Sequence, residues 1–175
     1  PPTWMKFPKV YNYGRLVQSE ENLKAYALYF KKYLEAYSAE GVKIAAICPQ
    51  NEFFADQKFP SCLYSAKELE SFLCYLTDAV KDKTNVYYGT CNGPDPYSEQ
   101  GLHNEYLNYL MQNENLRSSL KGAAFQWNGK FAIMQAKEDY PELDFIQSEC
   151  QCGDGKNSWD YAMYTCGLIH HYTIN

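Results

Sequence analysis

The 175-residue sequence has no stretch of about 20 apolar residues, the length a membrane-spanning helix needs, so no membrane span is expected. It has no basic run interleaved with aromatics, which argues against a nucleic-acid surface. Lys and Arg number 16 against 21 Asp and Glu, for a net charge of −5. It has no G-x-G-x-x-G turn of the kind that cradles a dinucleotide, and no cofactor is expected. The seven cysteines are odd in number and irregular in spacing. Only Cys150 and Cys152 lie close together, and no second pair completes a zinc motif. No metal site is expected, and most of the cysteines read as small buried residues. Internal repeats and low-complexity tracts are also missing. So are an initiator Met and a signal peptide: the sequence starts Pro1-Pro2-Thr3-Trp4 and ends on His171-Tyr172-Thr173-Ile174-Asn175 with no helix stop. Both ends read as cut, and a fragment of a longer chain is the expectation.

What is abundant is aromatic: 17 Tyr, 9 Phe and 3 Trp, or 17% of the residues. A sugar-binding surface and a tyrosine-rich core both fit that excess. With 46% hydrophobic residues the chain has enough apolar side chain to bury a core.

The order of elements is read from hydrophobic period and punctuation. Residues 1–18 read as a loop. Ser19 caps a helix whose apolar positions run from Leu23 to Tyr37, with Gly41 as its stop. Val42–Cys48 reads as a fully buried strand. A long loop then ends at the capping box Ser65-Ala66-Lys67-Glu68, which opens a second helix. The spacing predicts further strands at Asn85–Thr90, Gly122–Trp127 and Leu143–Ser148. Helices are predicted around 101–112, Phe131–Asp139 and 157–172. Strict alternation of helix and buried strand implies a parallel sheet. The expected fold class is α/β, a partial (β/α)8 barrel, because polar, aromatic and acidic residues gather at the C-terminal strand ends, where such barrels keep their chemistry.

Two of those residues are glutamates. The first strand runs out into Pro49-Gln50-Asn51-Glu52, and the fourth into Glu149. Across a curved sheet the two carboxyls face each other, the arrangement glycoside hydrolysis needs: one protonates the leaving oxygen and the other attacks the anomeric carbon. In that scheme Glu52 is the general acid/base and Glu149 the nucleophile. The amide of Asn51 is placed to hydrogen-bond a sugar 2-hydroxyl. Each Glu taken alone also reads as an ordinary solvated loop residue.

The surrounding words resemble glycoside hydrolase family 30, which includes glucosylceramidase-like and endo-β-1,6-glucanase-like enzymes. Pro1-Pro2-Thr3-Trp4-Met5-Lys6 resembles the loop after the third barrel strand, and Gln50-Asn51-Glu52 the acid/base motif. Phe59-Pro60-Ser61-Cys62-Leu63-Tyr64 resembles a Y-P-S-C-x-W stretch with Tyr64 in place of Trp. Ala124-Phe125-Gln126-Trp127 resembles the sixth-strand A-F-H-W, Ser148-Glu149-Cys150 the nucleophile motif, and Trp159-Asp160-Tyr161-Ala162 the start of the seventh helix. The motifs fall in order across nearly all 175 residues. The resemblance implies that residues 1–175 are a piece of one catalytic barrel carrying its fourth to seventh strands. The remaining strands and a flanking β-sandwich are then expected in the full-length protein. It also implies a β-linked glycan as substrate, cleaved with retention, and a secreted location. Trp127 would form part of the sugar platform with Gln126 beside it, and Trp4 would line the cleft. Each Trp also has a plain reading, as a core and a loop residue respectively. Gln126 stands where many members have His, Asn128 where many have Tyr, and Phe53 where Pro is usual. These departures bear on substrate more than on reaction type. A non-catalytic carbohydrate-binding remnant and a related barrel enzyme acting on another glycan are the alternatives.

Other polar residues carry weaker signals. Asp56 and Gln57 could contact sugar hydroxyls, and Asp95 and Glu99 could reach the cleft rim. His103 reads as a surface residue. His170 and His171 read as charges favoured at a helix C-terminus.

Overall fold

The computed structural model describes residues 1–92, 104–150 and 157–174. Its centre is a four-stranded parallel sheet whose strands lie in chain order and curl into a half-barrel. The strands are β3 (Ala46–Ile47), β4 (Asn85–Cys91), β5 (Leu120–Gln126) and β6 (Asp144–Glu149). Parallel neighbours cannot be joined by a tight hairpin. Helix α2 (Ala66–Val80) lies between β3 and β4, α3 (Glu105–Met111) and α4 (Glu114–Ser119) between β4 and β5, and α5 (Ile133–Asp139) between β5 and β6. Helix α1 (Glu20–Ala39) precedes the sheet and α6 (Trp159–Ile174) follows it.

Local chemistry sets the helix starts. The Ser19 hydroxyl accepts from the Asn22 N–H at 3.3 Å at the head of α1. At α2 the capping box is complete: Ser65 Oγ accepts from Glu68 N–H at 3.3 Å, and Glu68 Oε2 accepts from Ser65 N–H at 2.6 Å. Gly41 follows α1 with φ of +79°, the left-handed conformation that ends a helix at little cost for glycine. Helices α1 and α2 join through stacked Tyr26 and Phe72, ring centres 4.8 Å apart. Leu69, Phe72, Leu73, Leu76 and Val80 of α2 are almost completely buried.

Burial divides the strands into two kinds. β4 and β5 each have neighbours on both sides and are buried along most of their length, as predicted. β3 and β6 are edge strands and are not. Regular pairing in β3 covers two residues, where the sequence predicts Val42–Cys48, and Val42 is 49% exposed. Pro49 has no N–H to continue the ladder. Pairing with β4 resumes beyond it, where Thr90 N–H donates to Gln50 O at 2.8 Å and Glu52 N–H donates to Thr90 O at 3.1 Å. Most of β6 is exposed or half-buried. Helix α6 has Leu168 as its one buried residue among those described, and leaves Trp159, Met163 and Ile169 in solvent.

Three further differences from the sequence reading stand out. Residues 1–18 are not plain loop: β1 (Lys6–Phe7) pairs antiparallel with β2 (Arg15–Leu16). The predicted helix at Phe131 is a 3-10 turn, Trp127–Ala132, leading into α5. Helix α4, six residues capped by the Asn113 side chain, was not predicted. Under the β1–β2 ribbon, the buried Lys6 ammonium donates to four carbonyls: Tyr11 (3.1 Å), Asn12 (2.8 Å), Tyr13 (2.9 Å) and Ser61 (2.7 Å). A buried ammonium has to satisfy its three protons in this way. The bonds clamp the 11–13 loop to the segment that follows Glu52. Among the described residues no helix is long and apolar enough to cross a membrane. Of the six described cysteines, none of which is in a disulfide, two are buried, three are half-buried and Cys166 is exposed. The expectation of mostly buried cysteines therefore fails for most of them. Cys152 lies outside the described residues.

Candidate active site

Each strand of the half-barrel delivers a polar side chain at its C-terminal end. β3 leads to Asn51 and Glu52, β4 carries Thr90, β5 ends at Gln126 followed by Trp127, and β6 ends at Ser148 and Glu149. Parallel direction puts all of these at one rim. Gln126 and Glu149 are register partners across the β5–β6 seam.

Glu52 is 6% exposed. Its Oε1 accepts from the Gln126 amide at 3.0 Å, and its Oε2 accepts from the Gln57 amide. The same Gln126 Nε2 lies 3.3 Å from Asn51 Oδ1, which also accepts from the Thr90 hydroxyl at 2.9 Å. Gln126 Oε1 in turn accepts from Ser148 Oγ at 3.1 Å, a hydroxyl that also reaches Phe125 O at 3.1 Å. Gln126 is 1% exposed, so this amide is the buried centre of a network joining all four strands. The buried part of this network, Gln126 and Glu52, is thereby held in a fixed orientation.

Glu149 is exposed and has a different surrounding. Its Oε1 accepts from the Trp127 indole N–H at 3.1 Å. Neither carboxylate forms an ion pair among the described residues. Both Glu52 and Trp127 hold positive φ, +49° and +50°. Non-glycine residues in the left-handed region carry a local cost of about 1–3 kcal/mol and cluster at functional positions. After Glu52 the turn sends the next side chain, Phe53, inward; after Trp127 the next residue, Asn128, is exposed. Phe53, directly after Glu52, is buried against Phe54, Tyr88 and Tyr106 and anchors the turn. Gly129 sits under the turn that holds Trp127, where a Cβ would come within 2.1 Å of Cys91 O.

The structure thus brings together Glu52, Glu149, Asn51, Gln126 and Trp127. Trp4 is not in this group: it sits on the turn Thr3–Met5, 66% exposed, with no hydrogen bond to the cluster. Asp56 is exposed and makes no hydrogen bond among the described residues, whereas Gln57 reaches Glu52 itself. Tyr64 is a core residue. His170 and His171 lie in the last turns of α6, and the carbonyl of His170 accepts from Thr173 Oγ1. Asp95, Glu99 and His103 lie outside the described residues. Thr90 and Ser148 were missed from sequence, although both stand at a strand end beside residues that were named. Among the described residues no three His, Cys, Asp or Glu side chains gather as a metal site would require.

No family model and no curated protein matches the chain. Solved structures do. The endo-β1,6-glucanase BT3312 superposes with a TM-score of 0.82 at 23% identity, covering 98% of this chain and 42% of that one. SrfJ from Salmonella typhimurium gives 0.78 at 22% identity, with 99% and 40% covered. The glycoside hydrolase family 30 subfamily 8 xylanase Xyn30A from Clostridium acetobutylicum gives 0.77 at 18% identity, with 97% and 42% covered. The chain therefore spans less than half the length of each of these structures. At such identities the likeness is one of fold: nearly every residue here follows the backbone path of one stretch of a larger protein, and that stretch is a four-stranded parallel half-barrel.

Proposed function

We propose that this chain is the catalytic half of a retaining glycoside hydrolase of the family 30 type, with Glu52 as general acid/base and Glu149 as nucleophile. One observation carries the reading. Two carboxylates at one rim of the sheet are held by adjacent residues, Gln126 on Glu52 and Trp127 on Glu149. Glu149 attacks the anomeric carbon while protonated Glu52 gives its proton to the departing glycosidic oxygen, and a glycosyl–Glu149 ester forms. Glu52 then takes a proton from water, whose oxygen bonds to the anomeric carbon as the ester breaks.

The other residues divide the work. The Trp127 ring offers a face to the sugar, and its N–H holds Glu149 in line for attack. Asn51, fixed by Thr90, presents its amide to the 2-hydroxyl. Gln126 orients Glu52, and Trp4 borders the outer cleft. The substrate in this reading is a β-linked glycan, and the protein is secreted. In this reading the remaining strands and a β-sandwich belong to the full-length protein, and the solved structures, more than twice as long as this chain, leave room for them.

A 2-deoxy-2-fluoroglycoside trap on the protein completed with those strands tests the assignment. Peptide mass spectrometry is expected to place the sugar on Glu149, and NMR of the first product to show retained anomeric configuration. Labelling of another residue, or an inverted product, overturns it. A second reading, a carbohydrate-binding remnant without turnover, is favoured by the one-sided pairing of β3 and β6 and by the bare face of α6. Full turnover by a monomer of these 175 residues would exclude that second reading.

A further inference from the structure

The two oxygens of Glu52 are held by amides of unequal freedom. Oε1 faces Gln126, a residue 1% exposed whose side chain has two further ties: its Nε2 is shared with Asn51 Oδ1, and its Oε1 accepts from Ser148. Turning that carboxamide over would set its oxygen against Asn51 Oδ1 as well as against Glu52. Oε2 faces Gln57, a half-buried loop residue whose carboxamide makes only this one side-chain hydrogen bond among the described residues. Its backbone, by contrast, is fixed. Gln57 N–H donates to Ser61 Oγ at 3.4 Å, and Ser61 O accepts from the Lys6 ammonium at 2.7 Å.

An amide N–H that donates to a carboxylate oxygen loses most of that bond once the oxygen is protonated, and the amide meets the new O–H by presenting its own oxygen instead. Gln57 can make this exchange by a half-turn of its terminal amide, and Gln126 cannot make it without breaking the network. We propose that Oε2 is the oxygen of Glu52 that carries and delivers the proton, and that Gln57 is its positioning residue, turning its carboxamide over with each protonation change. The inference rests on the acid/base role proposed for Glu52. As the glycosidic C–O bond breaks, its electron pair stays on the departing oxygen, which takes the proton from Oε2. The Gln57 N–H then turns to the bare Oε2. In the second half-reaction a water proton returns to Oε2, and the amide turns back to accept from it until the glycosidic oxygen of the next substrate takes over as the acceptor.

Two measurements test this. In the 15N-labelled chain, the side-chain amide signals of Gln57 and Gln126 are assigned by their loss in Gln57→Met and Gln126→Met. On acid titration the Gln57 signal is expected to move at least twice as far as that of Gln126, and to stop moving in Glu52→Gln. A larger response at Gln126, or none at either, overturns the proposal. In the completed enzyme, Gln57→Met is expected to lower kcat/KM about tenfold on glycosides with alkyl alcohol leaving groups. On dinitrophenyl glycosides, which leave without a proton, the loss should stay under about twofold. Equal losses on both substrates would mark Gln57 as merely structural and also overturn the proposal. An enzyme inactive on every glycoside would fault the hydrolase reading instead, and the titration, which needs no turnover, would still decide the role of Gln57.

Discussion

Gln126 and Trp127, consecutive in the chain, hold different carboxylates: the amide of the first lies 3.0 Å from Glu52 Oε1, and the indole N–H of the second lies 3.1 Å from Glu149 Oε1. One strand end therefore sets the orientation of both acids. The extended strand residue reaches toward β3, and the residue after it, at positive φ, reaches toward β6.

Trp127→Phe separates the two parts of that tryptophan. The ring survives and the N–H is lost. A hydrogen bond to a charged acceptor at an exposed site is worth about 1–2 kcal/mol, so kcat should fall about tenfold while KM stays within about twofold. Steady-state kinetics on the completed enzyme read both. A rise in KM at unchanged kcat would show that the ring, not the N–H, dominates.

Lys6→Met removes an ammonium that four carbonyls share. The 11–13 loop and Ser61 lose their common tie, and a loss of about 2–4 kcal/mol in unfolding free energy is expected from urea denaturation. Lys6→Arg should recover little of it, because a planar fork does not match four carbonyls converging on one point. Wild-type stability in either variant would contradict the clamp.

Gly129→Ala drives a methyl into the Cys91 carbonyl, 2.1 Å from the new Cβ. The turn must lift, carrying Trp127 with it. A loss of about 1–3 kcal/mol is expected, together with a change in near-ultraviolet circular dichroism. An unaltered melting temperature would refute the contact.

Thiol chemistry should follow burial. Burial pushes Cys48 from its ordinary value of 9.0 up to about 11. The folded state thus favours the neutral thiol. That contribution to stability is full below pH 9 and is lost as pH rises through about 11. Iodoacetamide near neutral pH should modify the exposed Cys166 first, with Cys48 reacting faster as the solution is made alkaline. Peptide mapping of a time course checks this. Equal rates at the two residues near neutral pH would contradict it.

Features that depend on neighbours in the chain were legible in the sequence. The Ser65–Glu68 capping box, the Ser19 cap and the order of strands and helices are set within a few residues. Features that depend on neighbours in space were not. Nothing in Val42–Cys48 says that its strand lies at an edge, so an apolar run reads as buried when only Ile47 of it is. The two-residue strands β1 and β2 are too short to show a period. Lys6 within them looks like surface until four carbonyls, three from the 11–13 loop and one from Ser61, surround it. At the site, strand-end position pointed to Glu52 and Glu149, and the family resemblance to Gln126. Strand-end position applied equally to Thr90 and Ser148, whose hydroxyls give no signal until the strands are side by side. Gln57 was noted as a sugar contact, and its reach back to Glu52 is a matter of loop geometry.

Glu52 follows the first and Glu149 ends the last of four strands, and among the described residues none hydrogen-bonds to both. In a flat sheet three inter-strand steps of about 4.8 Å would hold the outer strands roughly 14 Å apart, far beyond the 5–5.5 Å of about the usual retaining pair. For the proposed pair to work, that separation has to be brought down across three seams by the curl of the sheet. Gly89, where a Cβ would meet Ala124 O at 2.4 Å, and Gly122, where one would meet Asp144 O at 2.5 Å, lie on two of these seams. Crowding either position would spread the rim and detune the acids without touching them.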